Sequence, residues 1–148
     1  MGQSLFLWYN TCLMGRSLYI HIPFCRRKCI YCDFCSVIYN EAVASDYVDT
    51  LARQVNDLDG VFNTVYIGGG TPTTLTAGML DRLFRSLKGR LDKGYEFTIE
   101  ANPESLDATK IKTLRDGGCN RLSIGAQSFN DKKLKRLGRI HDSAMARD

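Results

Sequence analysis

Apolar residues alternate along the chain between short continuous runs and runs with helical spacing. The continuous runs predict β-strands at residues 18–22, 64–67, 95–100 and 121–126. Each is followed by apolar residues that recur every three or four positions, as in an amphipathic helix. This order of strand and helix predicts an α/β fold in which four βα units form a parallel sheet with right-handed crossovers.

The helical runs have recognisable boundaries. They fall at residues 44–58, 80–87, 107–115 and 131–137. Thr76 is a candidate N-cap for the second helix. In the third helix, Ile111 and Leu114 are predicted to face inward.

Distinctive residues follow each predicted strand. A cysteine-rich loop begins at residue 25, Gly-Gly-Gly-Thr-Pro lies at 68–72, Glu-Ala-Asn-Pro at 100–103 and Gln-Ser-Phe at 127–129. Because ligand sites of parallel sheets lie at the carboxyl ends of the strands, we expect these four segments to converge on one site.

The extent of the chain bears on its domain organisation. At 148 residues it is long enough for one core. Four strands do not close a barrel, so we expect residues 17–148 to be the front part of a longer domain, with the C-terminal part absent. Residues 1–16 show no clear period and are interpreted as an atypical N-terminal extension, with Met14 rather than Met1 as the expected start.

Composition narrows the class of protein. Hydrophobic residues make up 44% of the chain and charged residues 24%, as in soluble globular proteins. The net charge is +4, and the basic run at 132–139 is interpreted as a solvated helix face, so no nucleic-acid partner is expected. No apolar run approaches the roughly 20 residues of a transmembrane helix, and no secretory signal is evident.

The cysteines argue for a metal centre rather than disulfides. Four of the six cysteines crowd into residues 25–35, which favours reduced thiols and a cytoplasmic location. Cys25, Cys29 and Cys32 form a C-x3-C-x2-C motif, and soft thiolates select iron–sulfur clusters or zinc. Structural zinc and ordinary ferredoxin clusters take four protein ligands. Three thiolates suit a [4Fe–4S] cluster with one iron open to a small ligand.

A zinc knuckle completed by Cys35 or His21 is the alternative to such a cluster. Cys35 is otherwise interpreted as a loop cysteine with no ligand role. His21, between apolar neighbours, is interpreted as a hydrogen-bonded core residue.

Other polar residues are candidates for binding a ligand. The triple glycine gives close access to backbone groups but matches neither glycine-rich phosphate motif, so it suits an amino or carboxylate group or is a tight turn. Glu100 ends an apolar strand, where a carboxylate needs a partner, and is a candidate for holding an ammonium group. Gln127 and Arg139 are candidates for hydroxyl and carboxylate groups, and Tyr31 for stacking. The alternative for Tyr31 is a cover over the cluster, and for the other three an ordinary surface position.

Five motifs in sequence order resemble the radical S-adenosylmethionine superfamily. They lie at residues 19–34, 68–72, 100–103, 123–129 and 137–141. Within it, the chain is similar to the oxygen-independent coproporphyrinogen III oxidases and to the HemW-like haem chaperones. The resemblance spans residues 17–141 and implies an incomplete (β/α)6-type partial TIM barrel.

The resemblance also implies cofactors. Cys25, Cys29 and Cys32 would hold a [4Fe–4S] cluster whose open iron takes the amino and carboxylate groups of S-adenosylmethionine. One electron from the cluster would split the sulfonium into methionine and a 5′-deoxyadenosyl radical, while the protein orients the cofactors and excludes water.

Roles for other residues follow from the same resemblance. The backbone of Gly69 and Gly70, with Thr71, would contact the methionyl part and Glu100 its ammonium group. The remaining implied contacts are Gln127 to the ribose, Arg139 to the carboxylate, the backbone around Tyr31 to the adenine, and Tyr19 at a further cofactor position.

The run that follows Cys32 separates the relatives. Asp33-Phe34-Cys35-Ser36 resembles the chaperone branch, whereas the oxidases continue with Cys-x-Cys-Asn. We therefore expect a protein that binds haem and passes it to a haem-accepting protein, with an electron donor protein as a further partner. The alternatives are an oxidase that decarboxylates coproporphyrinogen III to protoporphyrinogen IX, or an inactive fragment, so enzyme activity is left open.

Overall fold

The computed structural model describes residues 7–12 and 15–148. Its strands are β1 Leu7–Cys12, β2 Gly15–Ile22, β3 Phe24–Cys25, β4 Val37–Ile38, β5 Phe62–Gly69, β6 Leu91–Ala101 and β7 Arg121–Ile124. Its α-helices are α1 Glu41–Asn56, α2 Ala77–Leu87, α3 Ala108–Asp116 and α4 Asp131–Leu137. Short 3-10 helices at Pro72–Thr74 and Pro103–Ser105 follow β5 and β6.

A five-stranded sheet with the order β1-β2-β5-β6-β7 organises these elements. Strands β2, β5, β6 and β7 are parallel, which confirms the predicted sheet of four βα units. The last of these strands ends at Ile124 rather than at residue 126. The two-residue strands β3 and β4 pair separately at the ends of the cysteine loop.

Strand β1 is an addition that the sequence pattern does not predict. It pairs antiparallel with β2, from Leu7 opposite Ile20 to Cys12 opposite Gly15. Backbone groups along a sheet edge pair whatever the period of the side chains, so residues 7–12 join the sheet although they were interpreted as part of an extension. The expected start at Met14 and the alternative at Met1 lie outside the described residues.

The two faces of the sheet differ in character. On the helix-covered face, the apolar side chains of β2, β5 and β6 are buried against α1 and α2, as with Ile20, Ile67 and Ile99 in adjacent strands. On the opposite face, Tyr19 stacks on Tyr66 with ring centroids 6.0 Å apart. The Tyr66 hydroxyl on this face donates to Glu100 near the carboxyl end of β6, so the face contributes polar groups to that end of the sheet.

Helix α2 begins at the predicted N-cap, Thr76. The Thr76 hydroxyl accepts a hydrogen bond from the backbone N–H of Met79 at 3.2 Å. The prediction for α3 was partly wrong, because Leu114 is buried but Ile111 is 50% exposed. Lys110 takes the inward position instead, since its amine finds hydrogen-bond partners there. None of the helices that the structure describes has the length and apolar character needed to cross a membrane.

Candidate functional site

A cavity of about 310 Å³ lies at the carboxyl ends of β2, β5, β6 and β7. Segments that follow all four parallel strands line it, which confirms the predicted convergence. The predicted site residues that line it are Cys25, Cys29, Tyr31, Cys32, Gly69, Gly70, Thr71, Glu100, Gln127 and Arg139.

Backbone hydrogen bonds join the glycine segment after β5 to the residues that lead into the cysteine loop. The N–H of Gly70 donates to the carbonyl of Ile22, and the N–H of Thr71 to that of Phe24, both at 2.8 Å. A Cβ on Gly70 would lie 2.7 Å from the Phe24 carbonyl oxygen and 2.9 Å from Cys25 Sγ. Only glycine therefore lets the segment after β5 approach the first cysteine so closely.

The ends of the cysteine loop are tied together by β3 and β4. The N–H of Val37 donates to the Pro23 carbonyl at 2.7 Å, and that of Tyr39 to the Cys25 carbonyl at 2.9 Å. Within the loop, the N–H of Cys32 donates to the Cys29 carbonyl at 3.2 Å. This closed loop holds the three cysteines at the cavity as free thiols.

The arrangement of the thiols bears on the kind of metal centre. Among the side chains of residues 15–148, no three His, Cys, Asp or Glu residues form a group suited to a single metal ion. The ring nitrogens of His21 lie 3.1 Å from the Tyr19 hydroxyl and 3.2 Å from the Cys35 carbonyl, which fits a hydrogen-bonded residue. The thiols of Cys25, Cys29 and Cys32 all line the cavity, so they are the residues that would hold a [4Fe–4S] cluster there.

Glu100 faces the cavity as a paired carboxylate. Its Oε1 accepts from the Tyr66 hydroxyl at 2.7 Å, and its Oε2 from the N–H of Gly69 at 3.1 Å. Burial and the hydrogen bond to Glu100 raise the pKa of Tyr66 to about 12. Carboxylate oxygens have further lone pairs, so Glu100 can also accept from a ligand ammonium group.

Tyr19 occupies a different place from the other predicted residues. It does not line the cavity and instead stacks on Tyr66, the hydrogen-bond partner of Glu100. Burial and the nearby charge of Glu100 raise the pKa of Tyr19. Direct contact between Tyr19 and a cofactor stays a prediction.

The Arg139 guanidinium lies next to one of the cysteine thiols. Its Nη1 lies 3.5 Å from Cys29 Sγ and 3.4 Å from the Tyr31 hydroxyl. Its Nη2 donates to Asn102 Oδ1 at 2.6 Å and to the Gly125 carbonyl at 2.8 Å. Its Nε is buried and has no hydrogen-bond partner among the described residues. An unpaired buried donor is costly, so this guanidinium fits an anionic group such as a carboxylate.

Asn102 is a site residue that the sequence reasoning left unassigned. Its Nδ2 donates to Thr71 Oγ1 at 3.0 Å while its Oδ1 accepts from Arg139. A Cβ on Gly125 would lie 2.6 Å from Asn102 Oδ1. The amide thus joins the segments after β5, β6 and β7, and its place in the Glu-Ala-Asn-Pro motif was the available signal.

Gln127 has an unusual backbone conformation. Its φ of 59° lies in the left-handed region, which costs a residue with a side chain about 1–2 kcal/mol. Strain of this kind concentrates at functional sites, which agrees with the position of Gln127 at the cavity.

Comparison with known proteins identifies the class. The family model of the radical SAM superfamily matches residues 19–148. The chain therefore belongs to the radical SAM superfamily, whose members bind a [4Fe–4S] cluster and S-adenosylmethionine. The three thiols, the paired Glu100 carboxylate and the Arg139 guanidinium, all at the cavity, fit these groups.

Particular relatives within the superfamily are similar to this chain. The heme chaperone HemW of Escherichia coli (strain K12) is 44% identical over 136 residues, covering 84% of this chain and 35% of that protein. HemW of Lactococcus lactis subsp. lactis (strain IL1403) is 41% identical over 135 residues, covering 89% and 36%. The anaerobilin synthase of Escherichia coli O157:H7 is 39% identical over 140 residues, covering 88% and 32%.

A solved structure confirms the fold. Coproporphyrinogen III oxidase (HemN) from Escherichia coli, a radical SAM enzyme, matches with a TM-score of 0.78 at 29% identity, over 86% of this chain and 31% of that one. The chain is therefore a partial radical SAM barrel, as predicted. It spans about a third of the length of the relatives it matches.

Proposed function

We propose that the chain is the cluster- and S-adenosylmethionine-binding part of a HemW-like haem chaperone. The observation that carries the cofactor assignment is the convergence of three thiols, the Glu100 carboxylate and the Arg139 guanidinium on one cavity. This donor set offers thiolates to iron, an acceptor to an ammonium group and a donor to a carboxylate.

Each side chain has a task in this proposal. Cys25, Cys29 and Cys32 hold the cluster, which supplies one-electron cleavage of the sulfonium when bound. Glu100 accepts from the ammonium group of the methionyl part, and the Arg139 guanidinium pairs with its carboxylate. Their positions are fixed beforehand by hydrogen bonds to Tyr66, Gly69 and Asn102, and such preorganisation lowers the cost of binding.

The other cofactor groups are assigned to the remaining cavity residues. The backbone of Gly69 and Gly70, together with Thr71, contacts the methionyl chain. Gln127 contacts the ribose, and the backbone around Tyr31 meets the adenine. Tyr19 supports the site from behind Tyr66, and its own contact with the cofactor stays a prediction.

The haem role rests on the similarity to HemW. The identity is 44% to the E. coli HemW and 29% to HemN, and the Asp33-Phe34 run agrees with the chaperone branch. In this proposal the protein works in the cytoplasm, receives electrons from a donor protein and passes haem to an accepting protein.

Anaerobic titration of the cluster-loaded full-length protein with haem, followed by absorbance, tests this role. We expect saturable binding with a defined stoichiometry. Absorbance changes that never saturate, as in non-specific partitioning, would contradict the haem assignment.

The oxidase is the second candidate, since the structural likeness to HemN favours it. It predicts release of carbon dioxide from coproporphyrinogen III by the cluster-loaded full-length protein with reductant and S-adenosylmethionine. Formation of 5′-deoxyadenosine without carbon dioxide would exclude it.

A further inference from the structure

A buried acid–imidazole pair lies beside the cavity but does not line it. Residue His141 is 2% exposed, and the side chain of Glu104 is 10% exposed. His141 Nδ1 lies 3.0 Å from Glu104 Oε2, and Nε2 lies 3.0 Å from the Ala126 carbonyl oxygen. Both ring nitrogens are therefore held, as buried polar groups require.

The chain path brings this pair next to Arg139. Helix α4 ends at Leu137 and is capped by Gly138, whose φ of 75° turns the chain in the left-handed region. Beyond it, Ile140 is 47% exposed while its neighbour His141 is buried and Arg139 is partly buried. The two polar side chains therefore point back towards the strand ends, on the side away from solvent.

The segments after β6 and β7 both contact the side chains of Arg139 and His141. After β7, the Gly125 carbonyl accepts from Arg139 and the Ala126 carbonyl faces His141. After β6, Asn102 accepts from Arg139, and Glu104, two positions further on, faces His141. In each segment the earlier residue contacts Arg139 and the later residue contacts His141, so the two sets of contacts run in the same order.

Direct contact couples the pair to the guanidinium. Arg139 Nη2 lies 3.5 Å from His141 Nδ1, the nitrogen that faces the Glu104 carboxylate. The carboxylate therefore fixes the imidazole, and the imidazole limits the positions open to the guanidinium. Ordering a long, flexible side chain on ligand binding costs conformational entropy and weakens affinity. A guanidinium that is already restrained avoids part of this cost, so the restraint favours ligand binding at Arg139.

We propose that Glu104 and His141 are positioning residues that hold the Arg139 guanidinium in place for an anionic ligand group. The identity of that group, the S-adenosylmethionine carboxylate, rests on the proposed function. The restraint itself is a property of the protein alone and is tested without the cofactor.

The first experiment follows the Arg139 Nε–H by NMR in the isotope-labelled chain before cluster reconstitution. We expect slow exchange with solvent in the wild type, because this nitrogen is buried. Glu104→Leu removes the acceptor of His141 and is expected to speed this exchange at least tenfold. Glu104→Gln keeps an acceptor oxygen and is expected to preserve slow exchange. Glu41→Leu, a change of an exposed acid at the start of α1, is the control.

The second experiment measures S-adenosylmethionine affinity of the cluster-loaded chain by calorimetry. Glu104→Leu is expected to weaken binding on the order of tenfold, as for coupled neighbours. Added to Arg139→Ala, the same substitution is expected to cause no further loss. Equal losses in both backgrounds, or unchanged Nε–H exchange in a Glu104→Leu chain that still folds, would overturn the positioning role. A wild-type chain that binds no S-adenosylmethionine, yet shows Glu104-dependent exchange, would overturn the cofactor proposal and support the restraint on Arg139.

Discussion

Gly70 shows how a single residue shapes the site. A Cβ there would lie 2.7 Å from the Phe24 carbonyl oxygen, and a backbone atom cannot move aside as a flexible side chain does. We expect Gly70→Ala to lower the free energy of unfolding by about 1–3 kcal/mol through overpacking, as measured by urea denaturation. Gly78 of α2 has nothing within 4 Å of its Cβ position, so Gly78→Ala should stabilise the chain by about 0.5–1 kcal/mol. Equal stability of Gly70→Ala and wild type would contradict the close approach.

Tyr66 predicts a dependence of stability on alkaline pH. Burial and Glu100 raise its pKa from 10.0 to about 12, so the folded chain favours the protonated phenol. This stabilisation is complete below about pH 10 and is lost as the pH rises through about 12. We expect Tyr66→Phe to lose stability less steeply than wild type over that range in urea denaturation at several pH values. If wild type and Tyr66→Phe lost stability equally steeply over this pH range, Tyr66 would contribute nothing to the pH dependence.

Only some of the roles of single site residues could be predicted from the sequence. The cysteines and Glu100 lie at or just beyond the carboxyl ends of parallel strands, so topology and residue type were enough to predict their convergence. Asn102 and His141 draw their roles from contacts with Arg139 and Glu104, each 37 residues away along the chain. Such contacts leave no local period or spacing in the sequence.

At the scale of elements, the four parallel strands and the four helices were predicted because their apolar periods are clear. The pairing of β3 with β4 involves two residues in each strand, which is too short to produce a period. Strand β1 is held by backbone pairing with β2, which the side-chain pattern does not encode. In α3 the pattern selected Ile111, whereas the buried position belongs to Lys110.

Lys110 ties two elements of the site together. Its amine donates to the carbonyls of Thr73 at 2.7 Å and Ser105 at 3.1 Å, and so links the 3-10 helices that follow β5 and β6. Burial lowers the pKa of this amine. We expect Lys110→Met to destabilise the chain by about 1–3 kcal/mol, because two carbonyls lose their partner.

Lys112 on the same helix is the matched control for that change. Its side chain is 68% exposed and pairs with Asp116 on the surface. Lys112→Met should change the free energy of unfolding by less than about 1 kcal/mol, as measured by urea denaturation. Similar losses for the two variants would contradict the link through Lys110.

At the scale of the molecule, the sheet ends in an open edge. Strand β7 pairs with β6, and within the part of the chain that the structure describes no strand lies on its other side. The sequence predicted this edge, because four parallel strands do not close a barrel. Unpaired edges promote association between copies, so we expect self-association that rises with concentration in analytical ultracentrifugation.

Substitution at the edge tests whether β7 is responsible. Leu122 in β7 is 38% exposed, and Leu122→Lys places a charge on the edge strand. We expect it to reduce association, whereas Ile111→Lys on α3, where the side chain is 50% exposed, should leave association unchanged. Equal effects of the two substitutions would point to general surface hydrophobicity instead.

EPR of the chain, reconstituted with iron and sulfide under anaerobic conditions and then reduced, tests most directly whether three thiols hold a cluster with an open iron. We predict a [4Fe–4S] signal that shifts when S-adenosylmethionine is added, is lost in Cys29→Ala and persists in Cys35→Ala. Stoichiometric zinc without iron, or a cluster signal that S-adenosylmethionine leaves unchanged, would contradict the assignment of this site.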